Sequence, residues 1–503
     1  MWWVLVATAL AAPPEDQPAG PSELPAMSQA SSAVRLREMV GEHHPGPALT
    51  RGEVLAAIDE RHPKLRAAEA AFRGAEAERR GALSFRDPRF ESKNTAAVAG
   101  YYQYLLSDSR LVWDSGPASV EVGYRMGRGL ERGDAGVPDY YGEYRTLDGG
   151  ELRVGLSVDL LEGLWTDPDR TGLRTAELQL EEAEALVRLA RLDLSRKGVA
   201  TWAKWVASGR ILTLDEVLLQ VARERQRAVD ARIELGDLAS IERVRNRQIL
   251  AARRADLADA RGDFAASTQA LSLYLRGEDG ALQEAIRDRL PDRRDAPEVA
   301  QGYGEDPVAL ALTSHPLLIV ARARLGIAEA EARLARQGRM PEVGLQAGIA
   351  QDLQASGPDD STLSPMSGTV GATVKIPLGN LKDRAKVQST RNKRDKAFAD
   401  LRWLEDQVAV EVRAADAREQ AALASWQAAT EQVELGLLLQ EAEQRRFDVG
   451  DIDLLRLWQV EQQTAKAIRA EVKAWKAYQV ALAELEYAVG LPTRSAPGPA
   501  EGP

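Results

Sequence analysis

Cysteine is absent from the chain of 503 residues. Its absence excludes disulfides, thiolate metal sites and lipid attachment at an N-terminal cysteine, and it says little about the redox compartment. Aromatic residues make up only 5% of the chain, which is low for a protein that builds compact globular cores. Because the net charge is -11, the chain also lacks the basic footprint that phosphate binding needs, and nucleic acid is excluded as the main partner.

Catalytic signatures are equally scarce, and the chain has only four histidines. His62 and His315 each precede a proline at equivalent points of a repeat, which favours a structural role, and the pair His43-His44 is weak evidence for a metal site. The sequence contains no glycine-rich phosphate loop followed by Lys-Ser/Thr and no Gly-x-Ser-x-Gly motif. We therefore predict a protein that is not an enzyme and has no catalytic, cofactor-binding or metal residues.

Long apolar runs are missing as well, apart from the first residues. Residues 1–12 form a short apolar segment that ends in small residues, as a signal peptide does. A positively charged start is lacking, so a frayed start or a misassigned start codon is the alternative. No later stretch reaches the roughly 18 apolar residues of a transmembrane helix. Contact with a bilayer would therefore have to use β-strands.

What the chain does contain is the same order of signals, written twice. Residues 13–49 are rich in proline, glycine and serine and predict a flexible linker. We then expect a first repeat at 50–290, a linker at 291–307, a second repeat at 308–491 and a disordered tail at 492–503. The matching motifs are His62-Pro63 with His315-Pro316, Leu156–Leu160 with Ala372–Ile376, Ile233–Asp237 with Phe447–Asp451, and Tyr274–Gly277 with Tyr487–Gly490.

Two segments in each repeat alternate apolar residues with polar residues or glycine, which predicts half-buried strands. The strands are expected at about 118–128, 151–161, 342–351 and 367–377, and each has the roughly ten residues of a membrane strand. Two soluble hairpins packed on a helical core would alternate in the same way and are the alternative. The polar alternates are candidate pore-lining residues: Glu121, Arg125, Arg153, Asp159, Glu342, Gln346 and Lys375.

Each second strand is followed by a helical pattern far longer than the dozen residues of an average helix. Apolar residues recur there at alternating spacings of three and four, as in a coiled coil. Gly236 or Gly450 then permits a reversal, because glycine tolerates positive φ. Return helices complete long helical hairpins at 170–276 and 384–490. A dimeric or tetrameric structural coiled coil would share this pattern.

The complete order of elements resembles the TolC-like outer-membrane efflux protein family. The first repeat matches more loosely than the second, and its insert at 87–118 has no counterpart there. The resemblance implies an α+β membrane protein, a homotrimer whose 12-stranded β-barrel is continued by a long α-helical barrel, with two internal repeats per chain. The matching residues are His315-Pro316, Pro341, Ile376-Pro377-Leu378, Phe447–Asp451 with Leu454-Leu455, and Ala488–Leu491.

The resemblance also implies a function and partners. Such channels lie in outer-membrane lipid, extend into the periplasm and conduct substrates passively, within tripartite efflux or type I secretion systems. An inner-membrane pump delivers the substrate, and a periplasmic adaptor (membrane fusion protein) joins pump to channel. A periplasmic helical coiled-coil scaffold or adaptor is the alternative function.

Family resemblance places adaptor docking at the periplasmic tips of the two hairpins. The acids near these tips are gate candidates, because rings of carboxylates favour cations, although acids merely solvated near a turn would look the same. The tip candidates are Leu235, Gly236, Asp237, Val449, Gly450 and Asp451, and the gate candidates are Glu234, Asp448 and Asp453.

Overall fold

A computed structural model of the chain describes residues 35–36, 47–99, 104–129, 146, 149–160, 166–236, 238–291, 306–353, 366–376, 380–449 and 451–491. Within these ranges the chain forms one antiparallel sheet and two very long helical hairpins. The main helices are α1 (Arg51–Arg61), α2 (Pro63–Gly81), α3 (Pro168–Glu234), α4 (Ile241–Ser272), α5 (Pro307–Ser314), α6 (Pro316–Gln337), α7 (Leu381–Asp448) and α8 (Leu454–Val489). The strands are β1 (Arg89–Ala97), β2 (Tyr104–Asp114), β3 (Ala118–Gly129), β4 (Glu151–Asp159), β5 (Glu342–Asp352) and β6 (Met366–Lys375).

The long helices α3 and α7 contain 67 and 68 residues. At about 1.5 Å per residue each spans roughly 100 Å. Helix α3 starts at a strong signal, because the Asp167 carboxylate accepts a hydrogen bond from the Arg170 backbone N–H at 2.7 Å and Pro168 follows the cap. The helix ends before Gly236, whose φ of 85° is the left-handed conformation that lets the chain reverse.

Shorter helices pack end to end along the long ones. Helix α4 packs beside α3 near the reversal, and α2 packs beside α3 closer to the sheet. In the second half of the chain, α8 packs beside α7 near the reversal and α6 packs beside α7 closer to the sheet. Both α8 and α6 also pack on α3. The order across the molecule is therefore α7, then α8 with α6, then α3, then α4 with α2. Among the described helices, none alone has the length and apolar character to cross a bilayer. One bent pair, α5 with α6, is long and apolar enough when the two helices are taken together, by length and composition only.

The repeated His-Pro pairs build the junctions between these end-to-end helices. The Nδ1 atoms of His62 and His315 accept hydrogen bonds, both 3.2 Å long, from the backbone N–H two residues later, so the imidazoles cap α2 and α6. His62 stacks on Tyr274 from the end of α4, and His315 meets Tyr487 edge-on at the end of α8. Each histidine therefore locks the start of one helix against the end of another.

These caps should make stability depend on pH. Burial lowers the pKa of both His62 and His315 below their ordinary 6.5, and for His62 the charges of Arg276 and Lys64 add to the effect. Protonation would turn each accepting Nδ1 into a donor and remove the cap. This stability is complete above pH 6.5 and is lost as the pH falls through the lowered pKa of the folded state. We expect the midpoint temperature of thermal unfolding to fall as the pH is lowered from 6.5 through the lowered pKa values of the two histidines.

The matched variant replaces both histidines with asparagine, which retains a capping acceptor but does not titrate there. The acid slope of the thermal midpoint should become shallower in His62→Asn/His315→Asn than in the unmodified chain. An unchanged slope would show that other groups cause the acid sensitivity.

The largest core cluster gathers the few aromatic residues where α1, α3, α4 and α8 meet. Trp205 is fully buried and donates its indole N–H to the Thr268 hydroxyl at 3.1 Å. Trp202 packs against Trp475 with ring centroids 5.7 Å apart and donates to the Leu49 carbonyl at 2.9 Å. Since Trp475 lies on α8, this cluster joins the two halves of the chain.

The sheet is antiparallel throughout, and its strands follow one another in chain order from β1 to β6. The ladder between β4 and β5 joins the first half of the chain to the second, from Glu151 opposite Asp352 to Asp159 opposite Gly344. Strands β3 to β6 lie where the alternating pattern indicated them. The sheet stands at the ends of α2, α3, α6 and α7 that lie away from the hairpin reversals.

The expectation of four strands per chain is wrong, because the insert at 87–118 forms β1 and β2 and extends the sheet beyond β3. The count of twelve strands for three chains assumed four strands from each chain, whereas the sheet of one chain has six. Strand pairing satisfies the backbone of β2 on both sides and that of β1 on one side, even though the side chains of the insert alternate less clearly than those of the other strands.

The expectation of a flexible linker over 13–49 is also wrong for the parts that the structure describes. Leu36 is fully buried among side chains of α3, α7 and α8, including Leu214, Val433 and Ile468. Leu49 is 3% exposed and its backbone N–H bonds to the Arg289 carbonyl at 2.8 Å. Both leucines are held in place, because each packs its apolar side chain among residues of the helices.

Candidate functional site

The seven candidate pore-lining residues all lie on one face of the sheet, which we call the polar face. Side chains on neighbouring strands share a face when their residues lie opposite each other in the register. Glu121 lies opposite Gly155, and Gly155 lies opposite Gly348, which connects the candidates of the first half to those of the second. The candidates are Glu121, Arg125, Arg153 and Asp159 on β3 and β4, and Glu342, Gln346 and Lys375 on β5 and β6.

A belt of alternating charges crosses the polar face from β1 to β4. Arg110 lies between Glu91, at 2.7 Å, and Glu121, at 3.3 Å. Arg153 reaches Asp108 at 3.4 Å and Glu121 at 3.9 Å. All these side chains are partly exposed, so the pairs contribute little to stability. Their consequence is a fixed row of charges on this face, which we call the charged belt (Glu91, Arg110, Glu121 and Arg153).

The remaining candidates on the polar face carry fewer interactions. Arg125 pairs with Glu151 at 2.5 Å on the side of the belt away from the helices. Lys375 pairs with Glu342 at 2.9 Å at the end of β5 nearest the helices. Asp159 lies opposite Gly344. Apart from Gln346 and the terminal charges, β5 and β6 present glycine, alanine, serine and threonine on this face, so the belt stops at β4.

The opposite face of the sheet is apolar and uncovered, and we call it the apolar face. One row across the strands contains Leu111, Val122, Val154 and Ile349, which are 48%, 50%, 53% and 61% exposed. The next row towards the helices contains Trp113, 58% exposed, together with other apolar side chains. Contiguous apolar surface of this kind marks contact with a membrane or a partner.

The tips of the two hairpins lie at the far ends of the long helices. Leu235 is 61% exposed and is followed by Gly236, where an added Cβ would meet nothing within 4 Å. In the second hairpin, Val449 is 81% exposed. Asp237 and Gly450 lie outside the described residues. Each tip therefore displays an apolar side chain directly at the reversal.

A cavity of about 400 Å³ lies between the two tips. Both hairpins contribute to it, because α3, α4, the end of α7 and the start of α8 all supply side chains. Its walls mix apolar side chains with arginines and acids in about equal measure. The lining residues are Arg225, Ala228, Val229, Arg232, Leu238, Ala239, Glu242, Arg245, Phe447, Ile452, Asp453, Leu454 and Leu455. Sequence reasoning selected the turns but missed this cavity, which forms only where the hairpins meet.

The acidic residues near the tips have different surroundings. Asp453 caps α8 by accepting a hydrogen bond from the Arg456 backbone N–H at 2.8 Å. Asp451 pairs with Arg446 at 2.7 Å. Glu234 is exposed at the end of α3, and the Asp448 side chain lies outside the description. Asp451 and Asp453 therefore have local structural roles, and both are exposed to solvent, as Glu234 is.

Buried ion pairs behind the tips bind one hairpin to the other. Arg225 of α3 and Glu461 of α8 are 7% and 3% exposed, and their side chains lie 2.6 Å apart. Farther from the tips, the Arg469 guanidinium donates to Asp215, which is 2% exposed. Burial raises the pKa of the Asp215 carboxyl above its ordinary value, against the opposing effect of Arg469. Charged residues on helices are usually solvated, so the burial of Arg225, Glu461 and Asp215 is unusual.

Comparisons with known proteins bear on this architecture. Residues 308–491 match the family described as outer membrane efflux protein, and no curated protein matches the chain. A membrane protein from Pseudomonas aeruginosa has a TM-score of 0.62 at 16% identity, covering 95% of this chain and 97% of that one. The CmeC outer membrane channel of Campylobacter jejuni has a TM-score of 0.61 at 14% identity, with 96% and 94% covered. The outer membrane protein VceC of Vibrio cholerae has a TM-score of 0.60 at 18% identity, with 92% and 100% covered.

The structural comparison and the family match give two separate kinds of information about the chain. At these identities the structural likeness establishes the fold, and it does so over nearly the whole chain. The sequence match adds the efflux family over the second repeat. The predicted resemblance to the TolC-like outer-membrane efflux proteins is thereby confirmed.

Proposed function

We propose that this protein is the outer-membrane channel of a tripartite efflux or type I secretion system, a passive conduit that receives substrate from an inner-membrane pump through a periplasmic adaptor. The observation that carries the proposal is a sheet with one polar and one apolar face, attached to helical hairpins of roughly 100 Å. The apolar face suits lipid, the polar face suits a water-filled lumen, and the hairpins are long enough to reach across the periplasm.

The chain completes its channel as a homotrimer. Helix α7 forms one flank of the described molecule and α4 with α2 forms the other, and both flanks leave apolar side chains exposed. Trp403 and Val410 of α7 are 71% and 61% exposed, and Val244 of α4 is 62% exposed. Because the two flanks are different surfaces, copies join head to tail and close into a ring.

Conduction needs no bond chemistry from the protein. The pump supplies the energy, and the channel supplies a path lined by the polar face of the sheet and continued by the helical barrel. The charged belt stands in this path, so it acts on the passage of charged solutes through fixed charges of both signs. Glu234, Asp448 and Asp453 near the tips are the candidates for a cation-favouring constriction.

The adaptor docks at the tips. The cavity between the hairpins offers apolar side chains together with Arg232, Arg245 and Glu242, and the reversals of the same hairpins expose Leu235 and Val449. A helical partner with an apolar tip and flanking polar residues fits such a groove. The alternative, a soluble periplasmic scaffold or adaptor, leaves unexplained why the apolar face of the sheet is uncovered.

Fractionation and native mass test the proposal. We expect the protein in the outer-membrane fraction, soluble only with detergent, and with the native mass of three chains of 54.8 kDa each. A protein that is soluble and monomeric without detergent would contradict the channel and favour the scaffold.

Gly236→Val should weaken adaptor binding and transport while leaving the trimer intact. The Gly236 φ of 85° strains a β-branched residue, and the open space around it makes the strain purely conformational. Gly236→Asn is the matched control, because asparagine tolerates left-handed backbone. The corresponding change at Gly450 should act in the same way. Crosslinking to the adaptor, native mass and export rate are the measurements, and normal binding and export in Gly236→Val would remove the tip from the docking surface.

A further inference from the structure

The insert hairpin, β1 with β2, is bonded into the sheet along its whole length. Strand β2 pairs with β3 from Tyr104 opposite Gly129 to Asp114 opposite Ser119, so every residue of β2 has a partner. The edge of β3 that would otherwise face the next copy is therefore occupied. Within the described sheet, the free edges are those of β1 and β6.

The apolar face continues across the insert. Phe90 of β1 lies opposite Leu111 of β2, in the same row as Val122, Val154 and Ile349. Phe90 is 72% exposed, more than any other member of that row. In this row the insert therefore continues the apolar surface of the other strands.

The polar part of the insert lies beyond these apolar rows. Ser92, Asn94, Ser107 and Ser109 lie farther from the helices and bond to one another, with Ser92 to Ser109 at 2.9 Å and Ser107 to Asn94 at 2.6 Å. The row that holds Ser92 and Ser109 continues through Tyr124, Leu152, Gln351 and Met366, so it mixes polar and apolar side chains. At this distance from the helices the insert resembles β3 and β5, while β4 and β6 remain apolar.

The polar face continues as well, because Arg110 of the insert bridges Glu91 and Glu121. The free edges also lie at the flanks through which copies join. Strand β1 follows α2 in the chain and β6 leads into α7, and α2 and α7 stand on opposite flanks of the helical layer. An open edge cannot persist in lipid, since its backbone groups would lack hydrogen-bond partners.

We propose that β1 of one copy pairs antiparallel with β6 of the next copy, so that the insert hairpin forms part of the barrel wall and three copies close a barrel of eighteen strands, six from each chain. This inference rests on the proposed trimeric channel. Strands β1 and β6 run in opposite directions, because the six strands alternate, and they are 9 and 10 residues long, so their edges match. A wall of this size encloses an aqueous lumen, as in barrels of 16–18 strands.

Cysteine crosslinking tests the seam directly, because the chain contains no cysteine of its own. One cysteine replaces Lys93 or Thr95 on the polar side of β1, and a second replaces Ser367, Thr369 or Thr373 on the same side of β6. All six pairs are oxidised in the detergent-solubilised trimer, since the register across the seam is not fixed in advance. We expect disulfide-linked dimers and trimers for at least one pair.

The matched control places the first cysteine at Ser119, on the polar side of β3, with the same three partners on β6. We expect no links between chains from these pairs, because β2 separates β3 from the seam. Links from Ser119→Cys, or a trimer that links through no β1 pair, would overturn the inference. A protein that is not a trimer by native mass would overturn the proposed function itself, and the mass separates that result from a trimer with a different seam.

Removing the insert should move the seam. A three-residue glycine–serine linker in place of residues 89–116 spans the roughly 10 Å between the starts of β1 and β3. We expect this variant to form a trimer in which Ser119→Cys now links to β6. If the shortened chain does not fold, the six pairs in the complete chain still decide the question.

Discussion

Arginine at Leu156 or Val374 is expected to abolish assembly in the outer membrane, whereas arginine at Ser157 or Thr373 is expected to be tolerated. Leu156 and Val374 lie on the apolar face and are 47% and 60% exposed. An arginine that faces lipid costs about 2–4 kcal/mol at the midplane and less near the interfaces, while a charge that faces the lumen stays in water. Val374 lies at the end of β6 nearest the helices, so the larger loss is expected at Leu156. The amount of trimer recovered from the outer-membrane fraction is the measurement.

The comparison is matched because each pair of positions is adjacent in the chain and differs only in the face it occupies. Ser157 shares a hydrogen bond of 2.6 Å with Ser119, so its replacement has a small cost of its own. Equal losses at both positions of a pair would show that the faces are wrongly assigned. Trimer that persists with arginine at Leu156 and Val374 would show that the apolar face does not meet lipid.

The strands show what local patterns can and cannot predict. Strands β3 to β6 alternate apolar residues with polar residues or glycine, and they were expected where they lie. In β1 the odd-numbered residues Arg89, Glu91 and Lys93 are charged, and the residues between and after them include Ser92 and Asn94. Apolar residues therefore do not recur at every second position. A signal was nevertheless present, since charges at every second residue also fit a period of two. Strand β1 is fixed by its ladder to β2, which a pattern of apolar residues does not report.

The long helices were predictable because coiled-coil spacing is a local property repeated over many turns. The buried charges were not, because a charged residue on a helix is usually solvated. Arg225 nevertheless falls on the buried stripe of Leu218, Ala222 and Val229, at spacings of three and four. Glu461 follows the buried Leu457 at a spacing of four. A charged residue at a position where the spacing predicts a buried apolar one is the signal that could have indicated the ion pair of Arg225 with Glu461. The sequence did not show which helix carries the partner.

Loss of one partner of the buried pair should be among the most damaging changes in the helical region. Glu461→Ala leaves the Arg225 guanidinium 7% exposed and without its carboxylate, which costs about 3–5 kcal/mol. The exposed pair of Arg188 with Glu184 provides the control, because both side chains are about half exposed and lie one helical turn apart. Glu184→Ala should cost no more than about 0.5 kcal/mol.

The double variant Arg225→Met/Glu461→Leu separates the charge from the packing. Replacing a buried ion pair with apolar residues of similar volume is often neutral, because the desolvation cost of both charges disappears. We therefore expect the double variant to recover most of the stability that Glu461→Ala loses, as measured by denaturant unfolding of the helical signal in detergent. Since Arg225 also lines the cavity between the tips, adaptor binding should fall in Glu461→Ala and in the double variant alike. A single variant as stable as Glu184→Ala would mean that water reaches the pair, and the two hairpins would then be held together by apolar contacts alone.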